Sequence, residues 1–431
     1  MWSRLATVGL KCKSSKIYAV RLKLLEVEQR GPSAVEEDQM ASDKERTYGE
    51  DVLERLLHEG DRVVVNGSDV HIKTSTPHWR DGQLDEWLAA RTEELASEES
   101  AGPKPGLKML LSILFRPEAF LVQLRDRATK YKMSAESDSS LDLADSTITV
   151  TSEELSLSGD VRTLWRYETG DSTARSRPAL LHLHAGGFFV GAPDGQDNFL
   201  RYVADRADAV VFDLDYSLSP ERKFPHAVNE AFAALRHIHA HASEYGIDPK
   251  RIVVGGGSAG ANLTAAVTHL AAAEDPTLIA GQILMNPVLG LGRTAPAGFT
   301  WTSEDFPVED AARAQVGKIE EPRKSRAMRV MFDAYRGRVD ADAEPLLSPW
   351  LATSFDGLPP ALITTAEMDA LRPEGEFYAG QLAAAGVPVR TLRYRGVLHE
   401  TGGMFGYVPQ AEAVAIEVVK AIARTALGRG E

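Results

Sequence analysis

Six short apolar runs, at residues 180–183, 210–214, 252–254, 283–285, 362–364 and 389–392, alternate with stretches of helical periodicity. Runs this short and this continuously apolar are strands covered on both faces. The alternation predicts an α/β fold: a mostly parallel sheet with helices on both sides. Residues 147–150 and 161–167 add two strand-like segments upstream. Between Met285 and Leu362 the rhythm breaks. That stretch is too long for one connection, has some helical character and carries Trp301, Phe306, Met328, Met331 and Phe332. It reads as an insertion over a site, at about residues 290–347, and not as a seventh repeat.

Upstream, residues 1–75 read as an N-terminal extension, partly disordered, with one hairpin in which 63–65 and 70–72 are joined across Asn66-Gly67. Residues 84–95 and 107–124 place apolar side chains at helical spacing on either side of Pro103 and Pro105, which makes 76–133 a helical cap segment. The second of these helices, with Phe115, Phe120 and Leu121, is too apolar to stand free in water, so it roofs the site or makes a homodimer contact. The Ser/Asp-rich residues 134–145 are a linker, and 146–431 form the main domain.

Charge and cysteine usage narrow the function classes. A net charge of −14 opposes binding to phosphate backbones or anionic lipid surfaces, so no nucleic acid partner is expected. Cys12 is the only cysteine, which rules out an intrachain disulfide and points to a cytoplasmic protein. Arg4, Lys11, Lys13, Lys16, Arg21 and Lys23 precede the first acid, Glu26. Such a start can be an organelle transit peptide, but the simpler reading is a disordered or upstream-translated extension. The most apolar window, 107–124, contains Lys108, Arg116 and Pro117, so no membrane span is expected.

The strongest local signal is Gly256-Gly257-Ser258-Ala259-Gly260, between an apolar run and an alanine-rich helix. This G-x-S-x-G pattern puts a serine on a tight strand-to-helix turn whose neighbours must be small, with its hydroxyl exposed at the carboxyl end of the sheet. Gly255, Gly257 and Gly260 also satisfy G-x-G-x-x-G, the dinucleotide turn of an oxidoreductase. That turn needs an acid about 20 residues on to bind ribose hydroxyls, and the next strand ends instead at Met285-Asn286-Pro287. A second segment, His184-Ala185-Gly186-Gly187-Phe188, follows a strand. Consecutive glycines let backbone N–H groups converge on one point, as an acyl-transfer oxyanion requires. Gly186 and Gly187 are the candidate donors, with the Ala259 N–H as a third. His184 braces the loop, and His182 is an ordinary strand-end residue.

With these segments in view, the chain resembles the hormone-sensitive-lipase-like group of α/β-hydrolases across roughly residues 147–427. The resemblance rests on His184 to Phe188, on Asp215-Tyr216-Ser217-Leu218-Ser219-Pro220-Glu221 with Phe224-Pro225, on the turn at Ser258, and on residues 366–371 followed by His399. It implies an α/β-hydrolase fold with a helical cap built from the N-terminal region and the insertion. Ala185 stands where the family usually has glycine, and Gly257 where it usually has Asp or Thr. Tyr216 and Glu221, characteristic of the family, have structural roles. The fold imposes the order Ser, acid, His. Asp369 matches the family's acid, with Glu367 and Glu374 as nearby alternatives. Among eleven histidines His399 is best placed, in a loop after the last predicted strand. His237 and His241 share a helix face at i, i+4, but no metal and no cofactor are expected.

The expected activity is cleavage of carboxylic esters of short to medium acyl chains, with a small-molecule ester as partner. Ser258 is the nucleophile, His399 the base and Asp369 the orienting acid. The alternatives are a non-catalytic small-molecule receptor on the same fold, whose known examples lack the histidine that this chain retains, and the oxidoreductase.

Overall fold

The computed structural model describes residues 46–99, 118, 121–123, 125–126, 141–170, 176–399 and 401–425. The basic start, nearly all of the 107–124 stretch including Phe115 and Phe120, and most of the Ser/Asp-rich linker lie outside the described residues.

Ten strands form one sheet: β1 (Arg62–Val65), β2 (Ser68–Lys73), β3 (Ile148–Leu157), β4 (Asp160–Thr169), β5 (Arg177–Leu183), β6 (Val210–Leu214), β7 (Ile247–Gly257), β8 (Gly281–Met285), β9 (Ala361–Ala366) and β10 (Val389–Tyr394). Their order is β1-β2-β10-β9-β8-β7-β5-β6-β4-β3, parallel from β2 to β6 and antiparallel at both margins. The helices that position the site are α1 (Glu50–Leu57), α2 (Glu86–Glu99), α3 (Asp197–Ala207), α4 (His226–Ala240), α5 (Ala259–Glu274), α6 (Arg313–Val316), α7 (Arg326–Arg336), α8 (Arg372–Ala384) and α9 (Pro409–Arg424).

The central runs are continuously apolar because both faces of the sheet are covered. In β7, Ile252 and Val254 enter one core with Leu235 of α4 and Leu263 of α5, whereas Val253 enters the other with Val203 of α3 and Val418 of α9. β6 divides the same way, with Val210, Phe212 and Leu214 on one side and Val211 on the other. This period of two sorts successive side chains between two cores. The chain runs from β5 to β6 on one side and then to β7 on the other, so the carboxyl ends of β5 and β7 form a topological switch point, where α/β sheets bind ligands.

The hairpin does not behave as part of a detached extension ending near residue 75. β2 pairs in parallel with β10, with Val70 opposite Thr391 and Lys73 opposite Tyr394, which makes the hairpin the margin of the main sheet. The backbone groups of β10 would otherwise lie on an open edge. β1 takes the edge position instead and exposes Val63 and Val64. Helix α1 packs Val52, Leu53 and Leu56 into the core that also holds α9. The stretch between β8 and β9 contains no strand and includes α6 and α7. Among the described residues, no helix is long and apolar enough to cross a membrane.

Candidate active site

Ser258 stands between the last residue of β7 and the first of α5, with φ 51° and ψ −110°. A positive φ is costly for a residue with a Cβ, and such strain is held by packing on both sides. A Cβ on Gly260 would lie 1.9 Å from the Leu183 carbonyl oxygen, and one on Gly256 would lie 2.4 Å from the same atom. Both glycines are therefore required by the close approach of the turn to the end of β5. The Ser258 N–H donates to the Met285 carbonyl at 2.8 Å, which fixes the turn to β8. Asn262, one turn into α5, is buried and donates through Nδ2 to the carbonyls of Val288 and Leu347.

His399 lies in the loop after β10. Its Nε2 is 2.9 Å from Ser258 Oγ, and its Nδ1 is 2.7 Å from Asp369 Oδ2. Asp369 is buried in the loop after β9, and its other oxygen accepts the Leu371 N–H at 2.9 Å. A carboxylate offers only acceptors, so Nδ1 donates to Asp369 and Nε2 presents its lone pair to the serine hydroxyl. The alternative acids do other work. Glu374 is fully buried and accepts the N–H groups of Leu289 and Gly290, and burial pushes its pKa up to about 7. Glu367 accepts the Gly396 N–H at 2.9 Å, and burial raises its pKa too.

The glycine loop after β5 has φ 124° at Gly186 and 60° at Gly187. The Gly186 carbonyl accepts the N–H groups of Phe189 and Val190, closing the loop on itself. Gly186, Gly187, Ser258 and His399 all line one cavity of about 550 Å³. Ala259 opens α5, where first-turn N–H groups have no intrahelical acceptor. His184 is buried, stacks on Tyr216 with ring centroids 4.1 Å apart, and donates from Nδ1 to the Ala185 carbonyl at 2.8 Å. Tyr216 in turn donates to the His184 carbonyl at 2.7 Å. His182 is buried against Asp213 at 2.7 Å, on the strand and away from that loop contact. His237 stacks on His241, and its Nε2 meets the Tyr245 hydroxyl at 2.9 Å.

Val316, Ile319, Pro322, Met328, Met331 and Phe332, from the stretch between β8 and β9, line the same cavity and form its apolar wall. Leu121, from the upstream helical stretch, packs with Phe189 and Ala334, and Met331 of the wall packs against them.

Asp85, at the N-cap of α2, braces the site although no sequence motif links it there. Its Oδ1 accepts the N–H groups of Trp87 and Leu88, its Oδ2 accepts Ser75 Oγ and Gln410 Nε2, and its own N–H donates to the Gly396 carbonyl at 2.9 Å. With the bond from Arg395 N–H to the Lys73 carbonyl, it ties the histidine loop to the N-terminal strands and to α9. An acid before an apolar helical run is a legible cap signal, but its link to the histidine loop depends on pairing with distant residues.

A family model described as alpha/beta hydrolase fold matches residues 180–402. The chain is 33% identical over 235 residues to the esterase LipI of Mycobacterium tuberculosis, a match covering 54% of this chain and 68% of that protein. It is 34% identical over 260 residues to the carboxylesterase NlhH of the same species, covering 59% of this chain and 72% of that one. Among solved structures, the thermostable carboxylesterase EstE1 from a metagenomic library superposes with a TM-score of 0.60 at 30% identity, covering 73% of this chain and 99% of that one. The chain belongs to the α/β-hydrolase family, in its hormone-sensitive-lipase-like group of serine hydrolases.

Proposed function

We propose that the protein hydrolyses carboxylic esters of short to medium acyl chains through an acyl-enzyme on Ser258. The observation that carries this reading is the continuous Ser258–His399–Asp369 hydrogen-bond chain, 2.9 and 2.7 Å long, facing a cavity lined by apolar side chains. Asp369 fixes the imidazole tautomer, and His399 Nε2 takes the Oγ proton as Oγ attacks the ester carbonyl. The carbonyl oxygen becomes an oxyanion, met by the N–H groups of Gly186, Gly187 and Ala259. The imidazolium then gives its proton to the leaving alcohol as the C–O bond breaks, and the acyl group remains on Oγ. Water repeats the sequence in reverse and releases the acid.

Substrate size follows from the wall. Each methylene buried in the cavity contributes about 0.8 kcal/mol until the space ends. Specificity on nitrophenyl esters therefore rises from acetate to a short or medium chain and then falls. In this reading the insertion, with Leu121 packed against Phe189, is the cap that sets the limit. A fluorophosphonate probe should label Ser258 stoichiometrically, and Ser258→Ala and His399→Ala should each lower turnover by several orders of magnitude while the protein stays folded. A folded but unlabelled protein, or label on another serine, would refute the assignment.

A further inference from the structure

A second, smaller chamber of about 50 Å³ lies behind the nucleophile turn. Gly257, the residue before Ser258, forms one side of it. Leu398, the residue before His399, borders both this chamber and the large cavity. The other walls include Gln196 before α3, Tyr394 at the end of β10 and Gln410 in α9.

Most of the lining is apolar, but it also carries buried polar side chains. Gln410 and Tyr394 are each 2% exposed. The Gln410 amide cannot be turned around, because its Nε2 donates at 2.7 Å to the Asp85 carboxylate, which has only acceptors to offer. Its Oε1 is left buried without a partner among the described residues, as are the Tyr394 hydroxyl and Gln196 Oε1. Buried polar atoms are rarely left unpaired, and here three belong to residues that share one chamber. Two are carbonyl oxygens, so the ligand they fit is a hydrogen-bond donor. At about 10–15 Å³ per molecule, the space holds about three to five waters.

We propose that this chamber binds a small water cluster and supplies the hydrolytic water to His399 from behind Ser258, apart from the mouth through which the ester enters. The inference rests on the acyl-enzyme reading above. In the step served, a water O–H gives its proton to His399 Nε2 while its oxygen bonds to the acyl carbon. The C–Oγ bond then breaks, and Oγ recovers that proton as the acid leaves.

The test separates acylation from deacylation. With nitrophenyl acetate, formation and decay of acetyl-Ser258 are followed by quenched-flow mass spectrometry, with methanol as a competing nucleophile small enough to enter through the substrate cavity. In Gln196→Met, decay should slow about fivefold or more while kcat/KM, which reports acylation, stays within about twofold. Methanolysis should take a correspondingly larger share of product. Tyr394→Phe, which removes another of the unpaired lining groups, should act in the same direction and serves if Gln196→Met does not fold. Unchanged decay in a folded variant, or acylation falling in step with deacylation, overturns the water path. A wild-type protein that forms no acetyl-Ser258 overturns the hydrolase reading, and the water path with it.

Discussion

Replacing Gly260 by alanine should disable the enzyme through geometry alone, without removing any reactive group. The added Cβ would sit 1.9 Å from the Leu183 carbonyl oxygen, 2.6 Å from the Leu183 carbonyl carbon and 2.7 Å from the His184 carbonyl oxygen. All three are backbone atoms at the end of β5, so no side chain can swing aside. To regain ordinary contact, the start of α5 and the end of β5 must part by more than about 1 Å. One side carries Ser258 and the other leads directly into Gly186 and Gly187, so the nucleophile withdraws from the proposed oxyanion donors. A displacement of that size costs about 10² or more in turnover, and the overpacking costs about 1–3 kcal/mol of stability. Gly281→Ala is the control, because its Cβ would have no neighbour closer than 3.6 Å. Both variants are assayed on nitrophenyl acetate at matched folded concentration, with thermal melts alongside. A Gly260→Ala enzyme within about threefold of wild type would show that the distance between turn and loop does not govern the rate.

Three further outcomes are expected. Burial raises Glu374 from 4.5 to about 7, so the stability gained by holding its proton is complete below pH 4.5 and lost as pH rises through about 7. Glu374→Gln stays neutral, so its melting temperature relative to wild type should climb between pH 5 and 8, and a constant difference counts against the argument. Met331→Ala opens the wall near Gly187, whose Cβ position is 3.4 Å from the Met331 sulfur, and should move the acyl-chain optimum to longer esters; an unmoved optimum means that Met331 does not bound the acyl site. Asp85→Ala removes the acceptor of Ser75, Gln410 and the α2 cap. It should cost about 3 kcal/mol in denaturant titration and lower kcat more than it raises KM, and a variant with intact stability would refute the bracing role.

What could be read from the sequence was what local pattern controls. Strands covered on both faces announce themselves as apolar runs, and all six central strands fall where such runs lie. The Gly256-x-Ser258-x-Gly260 turn was legible because only glycine tolerates the contact with Leu183. Of the residues named from the resemblance, His399 lies within hydrogen-bond distance of both Ser258 and Asp369. The hairpin's place in the sheet was not legible, because β2 finds its partner β10 near the other end of the chain. The separate purposes of Asp369, Glu367 and Glu374 were also hidden. All three are acids near the end of β9, and only the three-dimensional arrangement gives one an imidazole and the other two backbone N–H groups.

That division of labour has an electrostatic logic. An isolated ionised carboxylate is expensive to bury, and hydrogen-bond donors offset the cost only in part. Glu374 holds the segment after β8 through Leu289 and Gly290, and Glu367 holds the histidine loop through Gly396. Burial drives both toward the protonated form, and for Glu374 the nearby Asp369 adds to the rise. A neutral acid can still accept a backbone N–H, so the clamps survive protonation and the loops stay in place. A proton held on Glu374 also removes a negative charge from the neighbourhood of Asp369. Asp369, in direct contact with the ring that becomes cationic during turnover, is then the carboxylate whose charge His399 meets at close range, and that is where a charge lowers the barrier.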